Sequence, residues 1–193
     1  MEKLKRGIIL LLLVFPLVHS ACVSKPSFYN RGSIDKANVK IAVLPFKDFN
    51  DKEGNNSGEL VNNLFESILL QRGFKVIEVE KTAVEADYEF LEKNEFASVW
   101  IMDTGTAIGA DYMVYGSVHD YKTFQSSTSF LYIFSWLELT SSVGITARMV
   151  SCKTGEIVWT GSLTRASYTI NDAAAEAIND LIRTIRYKSA GKK

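Results

Sequence analysis

Apolar positions between residues 39 and 79 follow two different spacings. Residues 39–46, VKIAVLPF, are apolar almost without interruption, which predicts a strand that is buried on both faces. Between residues 60 and 69 the apolar positions lie three or four apart, so we expect an amphipathic helix there, ending at Gly73. Residues 74–79, FKVIEV, predict a second strand. This strand–helix–strand order favours a parallel strand pair.

The rest of the chain predicts two more helices, a series of strands and a final helix. The two helices are expected over residues 83–94 and over a shorter stretch that ends at Gly109. A Lys-Thr-Gly-Glu turn predicts a hairpin between the last two strands, and an apolar stripe from Ala174 to Ile185 predicts the final helix. The strands are expected at residues 111–124, 129–139, 142–152 and 157–169. The predicted fold class is therefore α/β, an α+β sandwich whose mixed sheet is parallel at the start, antiparallel at the end and flanked by helices.

Residues 1–21 have the composition of a secretory leader. Three basic residues precede a short apolar run and the small pair Ser20-Ala21, and the run is shorter than the roughly 20 residues that span a bilayer. Cys22 follows directly, and this arrangement resembles the lipobox of bacterial lipoproteins. The resemblance implies cleavage before Cys22 and its acylation with fatty acids such as palmitate. Because His19 stands where that family prefers an aliphatic residue, ordinary secretion with a free cysteine stays open as an alternative.

The lipoprotein resemblance also implies a location and a division of the chain. Since Val23 rather than aspartate follows the cysteine, we expect the outer membrane, with its lipid as the partner of acylated Cys22 and the folded part facing the periplasm. The predicted divisions are a signal peptide at 1–21, a lipidated tether at 22–38, the α/β domain at 39–187 and a basic tail at 188–193. Fully stretched, the tether would reach about 50–58 Å.

Charge argues against nucleic acid as a partner. Removing the leader takes three of the 22 basic residues and one of the 22 acidic residues, which leaves a net charge near −2. Binding to nucleic acid requires a basic patch or stripe. We therefore expect no nucleic-acid partner.

Candidate catalytic residues are few. His119 is the one histidine that follows the leader, and the sequence contains no GxSxG nucleophile motif. A catalytic pair of His119 with Cys152 would require their strands to bring the two side chains together. Cys152 lies in an apolar stretch, where a free cysteine usually behaves as a small buried hydrophobe. The sequence thus predicts no catalytic residue and no cofactor.

The acidic loop after the first strand matches part of the calcium-binding loop pattern. Asp48, Asn50 and Glu59 match positions 1, 3 and 12 of a calcium-binding loop, but Lys52 and Glu53 replace a ligand and a required glycine. We therefore expect no metal here. A solvated loop that caps the following helix explains the same residues.

An aromatic segment lies in the middle of the chain. Phe130, Tyr132, Phe134 and Trp136 alternate with aliphatic residues, so on one strand the four aromatic side chains would share a face. A membrane-spanning strand would be polar on its other face, which this segment is not. We interpret the four aromatics as a candidate core, partner or oligomer interface. Membrane contact and a full pore remain alternatives.

Four segments occur in the order seen in a family of bacterial outer-membrane lipoproteins, the CsgG-like and LpoB-like proteins of the curli secretion lipoprotein superfamily. They are IAVLPF (41–46), RGFKVIEVEK (72–81), GADYMVYGSV (109–118) and ITARMVSCKTGEIVWTGS (145–162). The resemblance spans about residues 39–187 and implies a CsgG-like periplasmic domain.

The resemblance and the lack of a catalytic set together indicate a function through protein contacts. We expect a non-enzymatic lipoprotein that binds other envelope proteins in envelope assembly or secretion, as a homo-oligomer. One alternative is an LpoB-like regulator of a peptidoglycan synthase. The other is a subunit of an oligomeric secretion channel.

Overall fold

The computed structural model describes residues 25–48, 56–77, 79, 97–130 and 134–188, with the backbone alone at 126–130 and 134–138. The helix expected at residues 83–94 lies outside the described residues, as do the leader, Cys22 and residues 189–193. The described elements are β1 (Ser27–Asn30), β2 (Ile34–Asp35), β3 (Lys40–Val43), α1 (Ser57–Gln71), β4 (Lys75–Ile77), α2 (Ala97–Ile108), β5 (Tyr112–Phe130), β6 (Phe134–Ser151), β7 (Ile157–Ser167), α3 (Ile170–Arg183) and β8 (Tyr187–Lys188).

Six strands form one mixed sheet in the order β1-β7-β6-β5-β3-β4. The pairs β4–β3 and β3–β5 are parallel, whereas β5–β6, β6–β7 and β7–β1 are antiparallel. This confirms the predicted fold class, including the change from parallel to antiparallel pairing along the chain. A separate two-stranded parallel sheet joins β2 to β8.

Helices cover both faces of the sheet, but to different extents. On one face α1 and α3 pack over a large core in which Ile41, Phe65 and Trp159 are fully buried. On the other face α2 packs over a smaller core that contains Leu44 and Met113. Alternate side chains of β3 enter the two cores, which explains why its sequence is apolar on both faces.

The start of α1 is held by a residue from outside the helix. Asn56, at the N-cap position, has a left-handed backbone (φ 49°) and makes no side-chain cap. Instead, the carboxylate of Asp48 accepts hydrogen bonds from the Ser57 hydroxyl and from the Gly58 backbone N–H. Asp48 therefore takes the place of a side-chain cap from Asn56 and ties the chain after β3 to the helix.

The N-terminal part of the structure differs from the tether predicted for residues 22–38. Ser27–Asn30 pair with β7 at the edge of the large sheet, and Ile34–Asp35 pair with β8. The Asn30 side chain donates a hydrogen bond to the Thr184 carbonyl (2.8 Å) just after α3. Strand pairing therefore begins within the predicted tether, and Pro26, just before β1, stands four positions after Cys22.

The aromatic segment also differs from its prediction, because it does not lie on one strand. Phe130 ends β5 and pairs with Phe134 at the start of β6, while Trp136 pairs with Thr128. Tyr132 falls in residues 131–133, outside the described residues. The four aromatics are thus shared between two antiparallel strands and the segment that joins them.

We predict that Asp48→Ala lowers the free energy of unfolding. The substitution leaves the buried N-terminal turn of α1 without its acceptor, and loss of a helix cap typically costs about 0.5–2 kcal/mol. Urea denaturation followed by circular dichroism measures the change. Asp103→Ala, at an exposed position on α2, is the control and should stay within about 0.5 kcal/mol of the parent. An equal loss in both variants would contradict the capping role.

Candidate partner-binding surface

The one histidine among the described residues lies on the surface in a polar setting. His119 sits at an irregularity of β5 between Val118 and Asp120, and its ring nitrogens lie 3.4 Å from the hydroxyls of Thr146 and Thr164. These contacts are long for hydrogen bonds that would activate a nucleophile. The neighbouring Gly144 makes room for the ring, since a Cβ there would lie 2.6 Å from His119 Nε2. We therefore assign the histidine to the packing of the sheet surface.

Cys152 is held in the smaller core, away from His119. Its side chain packs under α2 where Gly105 has no side chain, and a Cβ on Gly105 would lie 2.3 Å from Cys152 Sγ. Burial, with a smaller contribution from Asp111, raises the pKa of the Cys152 thiol to about 11. The thiol is therefore neutral and poorly nucleophilic near neutral pH, in keeping with the buried cysteine that was predicted.

The described residues contain no group of three His, Cys, Asp or Glu side chains that could hold a metal ion. Asp48, the first position of the calcium loop considered above, is engaged with the N-terminus of α1. In the same described part of the chain, none of the helices has the length and apolar character to cross a membrane.

The antiparallel half of the sheet has a polar face that none of the described helices covers. Its side chains hydrogen-bond to one another: Thr146 Oγ1 lies 3.0 Å from Ser162 Oγ, and Ser142 donates to Asp120 at 2.7 Å. Lys122 completes this group through an ion pair with Asp120 at 3.0 Å. The result is a polar surface whose side chains are hydrogen-bonded to one another.

The long β5–β6 hairpin extends beyond this face as a two-stranded arm. The last pair between β6 and β7 is Ser141 with Ser167. On the other side of β5, the pairing with β3 ends at Val43 with Val114, and an isolated bridge joins Lys47 to Ser117. Residues 124–130 and 134–140 therefore pair only with each other among the described strands. We call this segment the hairpin arm. At about 3.4 Å per residue it projects roughly 20 Å.

The base of the hairpin arm exposes apolar side chains on both of its faces. Phe124 and Leu139 belong to adjacent cross-strand pairs, so they point to opposite faces, and they are 50% and 49% exposed. Lys122 Nζ lies 5.0 Å from the centre of the Phe124 ring. A two-stranded hairpin is at best marginally stable alone in water.

Comparison with known families decides which proteins this chain resembles. The sequence model of the family described as "Peptidoglycan-synthase activator LpoB" matches residues 50–164, more than half of the chain. The chain belongs to the LpoB family. The matched segment of the LpoB family begins before α1 and ends in β7, so it includes the hairpin arm and the polar face. The broader likeness to CsgG is not shown and stays a prediction.

Solved structures of low sequence identity share the fold of this LpoB-family chain. The PelC dodecamer from Paraburkholderia phytofirmans is 14% identical, with a TM-score of 0.61, covering 86% of this chain and 99% of the PelC chain. The hypothetical protein CT253 from Chlamydia trachomatis is 12% identical, with a TM-score of 0.53, covering 75% of this chain and 94% of its own. A search of curated protein sequences gives no match.

One charged group lies outside the LpoB-family segment and was missed by reasoning from the sequence. Arg165 of β7 donates two hydrogen bonds to Asp180 of α3, at 2.6 and 3.0 Å, and Arg183 lies 3.4 Å from the same carboxylate. Only the three-residue spacing of Asp180 and Arg183 is visible as a local pattern. Arg165 joins them because β7 and α3 pack together.

We predict that the Cys152 thiol resists modification in the folded protein. At pH 8 a thiol with a pKa of about 11 is ionised in about one molecule in a thousand, against about a quarter in an unfolded chain with a pKa of 8.5. A Cys22→Ser variant leaves Cys152 as the one thiol. Its reaction with Ellman's reagent should be at least about 200-fold slower in buffer than in urea. Rapid reaction of the folded protein would contradict the buried, neutral state.

Proposed function

We propose that this protein is an outer-membrane lipoprotein, acylated at Cys22, whose periplasmic domain binds a peptidoglycan synthase and increases its activity. The observation that carries the proposal is the match of residues 50–164 to the LpoB family of synthase activators. The protein then acts through contact with an enzyme and needs no catalytic group of its own. The proposal favours synthase regulation over the secretion role that the CsgG-like resemblance implied.

The hairpin arm is the surface that best suits synthase binding. Interface cores contain aromatic and apolar anchors that are exposed in the free protein. Phe124 and Leu139 have this character, and the aromatic residues Phe130, Phe134 and Trp136 follow along the same arm. The outer edges of the arm also offer backbone hydrogen-bonding groups to which a partner strand can pair. We therefore propose the arm as the partner interface, together with Tyr132, which lies in the sequence between its two strands.

The position of acylated Cys22 limits the distance from the outer membrane at which the domain can contact a synthase. Four residue positions from Cys22 to Pro26 reach at most about 14 Å. A domain of this size is about 40 Å across. The far side of the compact domain thus lies within roughly 55 Å of the lipid anchor, and the hairpin arm adds roughly 20 Å to this limit. The synthase must therefore present its docking region within roughly 75 Å of the outer membrane.

A homo-oligomeric assembly is the second candidate. It is favoured by the shared fold with PelC, whose structure is a dodecamer. The exposed edge of β1 and the hairpin arm provide surfaces on which copies could pair. A ring would suit a scaffold or a secretion-channel subunit, whereas a monomer suits the synthase regulator. Mass measurement of the lipoprotein in mild detergent separates these states.

We predict that the double variant Phe124→Ser/Leu139→Ser loses synthase activation. Removing two exposed apolar anchors should weaken binding by at least about tenfold, the equivalent of 1.4 kcal/mol. The measurement is glycan-strand polymerisation by the purified synthases of the same envelope, with and without the lipoprotein, together with their binding affinity.

The matched control is Leu70→Ser/Val99→Ser, which removes two equally exposed apolar side chains from α1 and α2. This variant should activate as the parent does. Normal activation by the arm variant would remove the arm as the interface. If the parent protein neither binds nor activates any synthase, the proposed function itself is wrong.

A further inference from the structure

A cleft rich in arginine lies between the edge strand β1 and the C-terminal end of α3. It has a volume of about 500 Å³ and is lined by Pro26, Phe28, Arg165, Asp180, Arg183, Thr184 and Arg186. We call it the arginine cleft. It lies outside the segment matched to the LpoB family, and the proposed binding of a synthase through the hairpin arm does not use it.

The backbone around the arginine cleft is held in place on several sides. The Asn30 side chain donates to the Thr184 carbonyl (2.8 Å) and accepts from the Arg186 backbone N–H (3.2 Å). The Arg186 carbonyl accepts from the Ile34 backbone N–H at 2.9 Å. The Thr184 hydroxyl accepts a hydrogen bond from the buried Trp159 indole at 2.9 Å. The segment that carries Arg186 is therefore positioned before any ligand arrives.

The charge of the arginine cleft favours an anion. Its three guanidinium groups and the Asp180 carboxylate leave a net charge of +2. The C-terminal end of α3 carries a partial charge of about −0.5, which repels an anion but is smaller than the net charge of the side chains. Asp180 orients the Arg165 side chain, which is only 12% exposed. The Arg183 side chain is 64% exposed, and Arg186 also lies on the surface, so these two arginines are accessible to an anion. Planar guanidinium groups recognise phosphate oxygens with paired hydrogen bonds.

The location of the cleft indicates where such an anion is found. Pro26, on its wall, stands four positions after Cys22, a span of at most about 14 Å. The Phe28 side chain is 51% exposed on the same wall. An exposed aromatic ring beside arginines is typical of protein surfaces that rest at a membrane interface.

We propose that the arginine cleft binds the phosphate of anionic phospholipid head groups in the membrane to which Cys22 is attached. The proposal rests on the proposed acylation of Cys22. Contact at the cleft, in addition to the acyl chains, gives the domain one orientation on the membrane. The membrane then lies beside β1 and the end of α3.

The test uses the chain from position 22 onward with Cys22→Ser, which keeps every residue that the structure describes and cannot be acylated. Its sedimentation with vesicles of phosphatidylcholine is compared with and without phosphatidylglycerol, at about 0.15 M salt. We expect binding that depends on phosphatidylglycerol. Each basic residue near an anionic surface contributes about fivefold, so Arg183→Gln/Arg186→Gln should bind about 25-fold more weakly.

A charge-matched control distinguishes binding at the arginine cleft from the general attraction of basic side chains to anionic vesicles. Lys40→Gln/Lys75→Gln removes the same charge from exposed positions on β3 and β4, far from β1 across the sheet. It should reduce binding no more than about twofold. An equal loss in the two double variants, or binding that does not depend on phosphatidylglycerol, would overturn the proposal.

Failure of this inference can be told apart from failure of the proposed function. The intact mass of the full-length protein purified from cells reports acylation of Cys22, and the synthase assay reports activation. If the full-length protein is acylated and activates a synthase, but the unacylated form does not bind anionic vesicles, only the phospholipid-binding proposal is wrong. If the unacylated form binds anionic vesicles through the arginine cleft, but the protein activates no synthase, only the proposed function is wrong.

Discussion

The pairing of β1 with β7 is the constraint on which the arrangement of the molecule depends. It fixes residues 27–30 to one edge of the sheet, and Asn30 extends this attachment to the end of α3. The residues nearest the proposed lipid anchor and the C-terminal end of the domain therefore meet at one place. Because the connection to Cys22 is short, the domain is expected to lie close to the membrane and to have a limited reach.

The two halves of the sheet differ in what they leave exposed. In the parallel half, α1 and α2 cover both faces, and alternate side chains of β3 are buried in two cores. In the antiparallel half, α3 covers one face while the hairpin extends past its neighbours. The covered half stabilises the fold, and the extended half offers surface for a partner. The proposed contact with a synthase therefore falls on the half of the sheet that extends past its neighbours.

Local patterns were sufficient to predict α1, α2, α3 and the change from parallel to antiparallel pairing along the chain. They did not predict the contacts between segments that are distant in sequence. The strand β3 can be recognised because burial on both faces leaves a continuous apolar run. The helix α3 can be recognised because burial on one face leaves apolar residues at helical spacing. The aromatic segment was placed on one strand because residues 131–133 contain no glycine, proline or asparagine to mark a turn. The strand β1 was missed because an edge strand gains its stability from the backbone of β7 rather than from its own apolar residues.

The central claim is that the hairpin arm contacts a peptidoglycan synthase at the outer membrane. Its most direct test is a photo-crosslinking amino acid at position 124 in living cells, followed by mass spectrometry of the crosslinked products. The account predicts crosslinks to a peptidoglycan synthase, and none to that synthase from position 99 on α2. Crosslinks from position 124 that join only copies of this chain, or none at all, would contradict it.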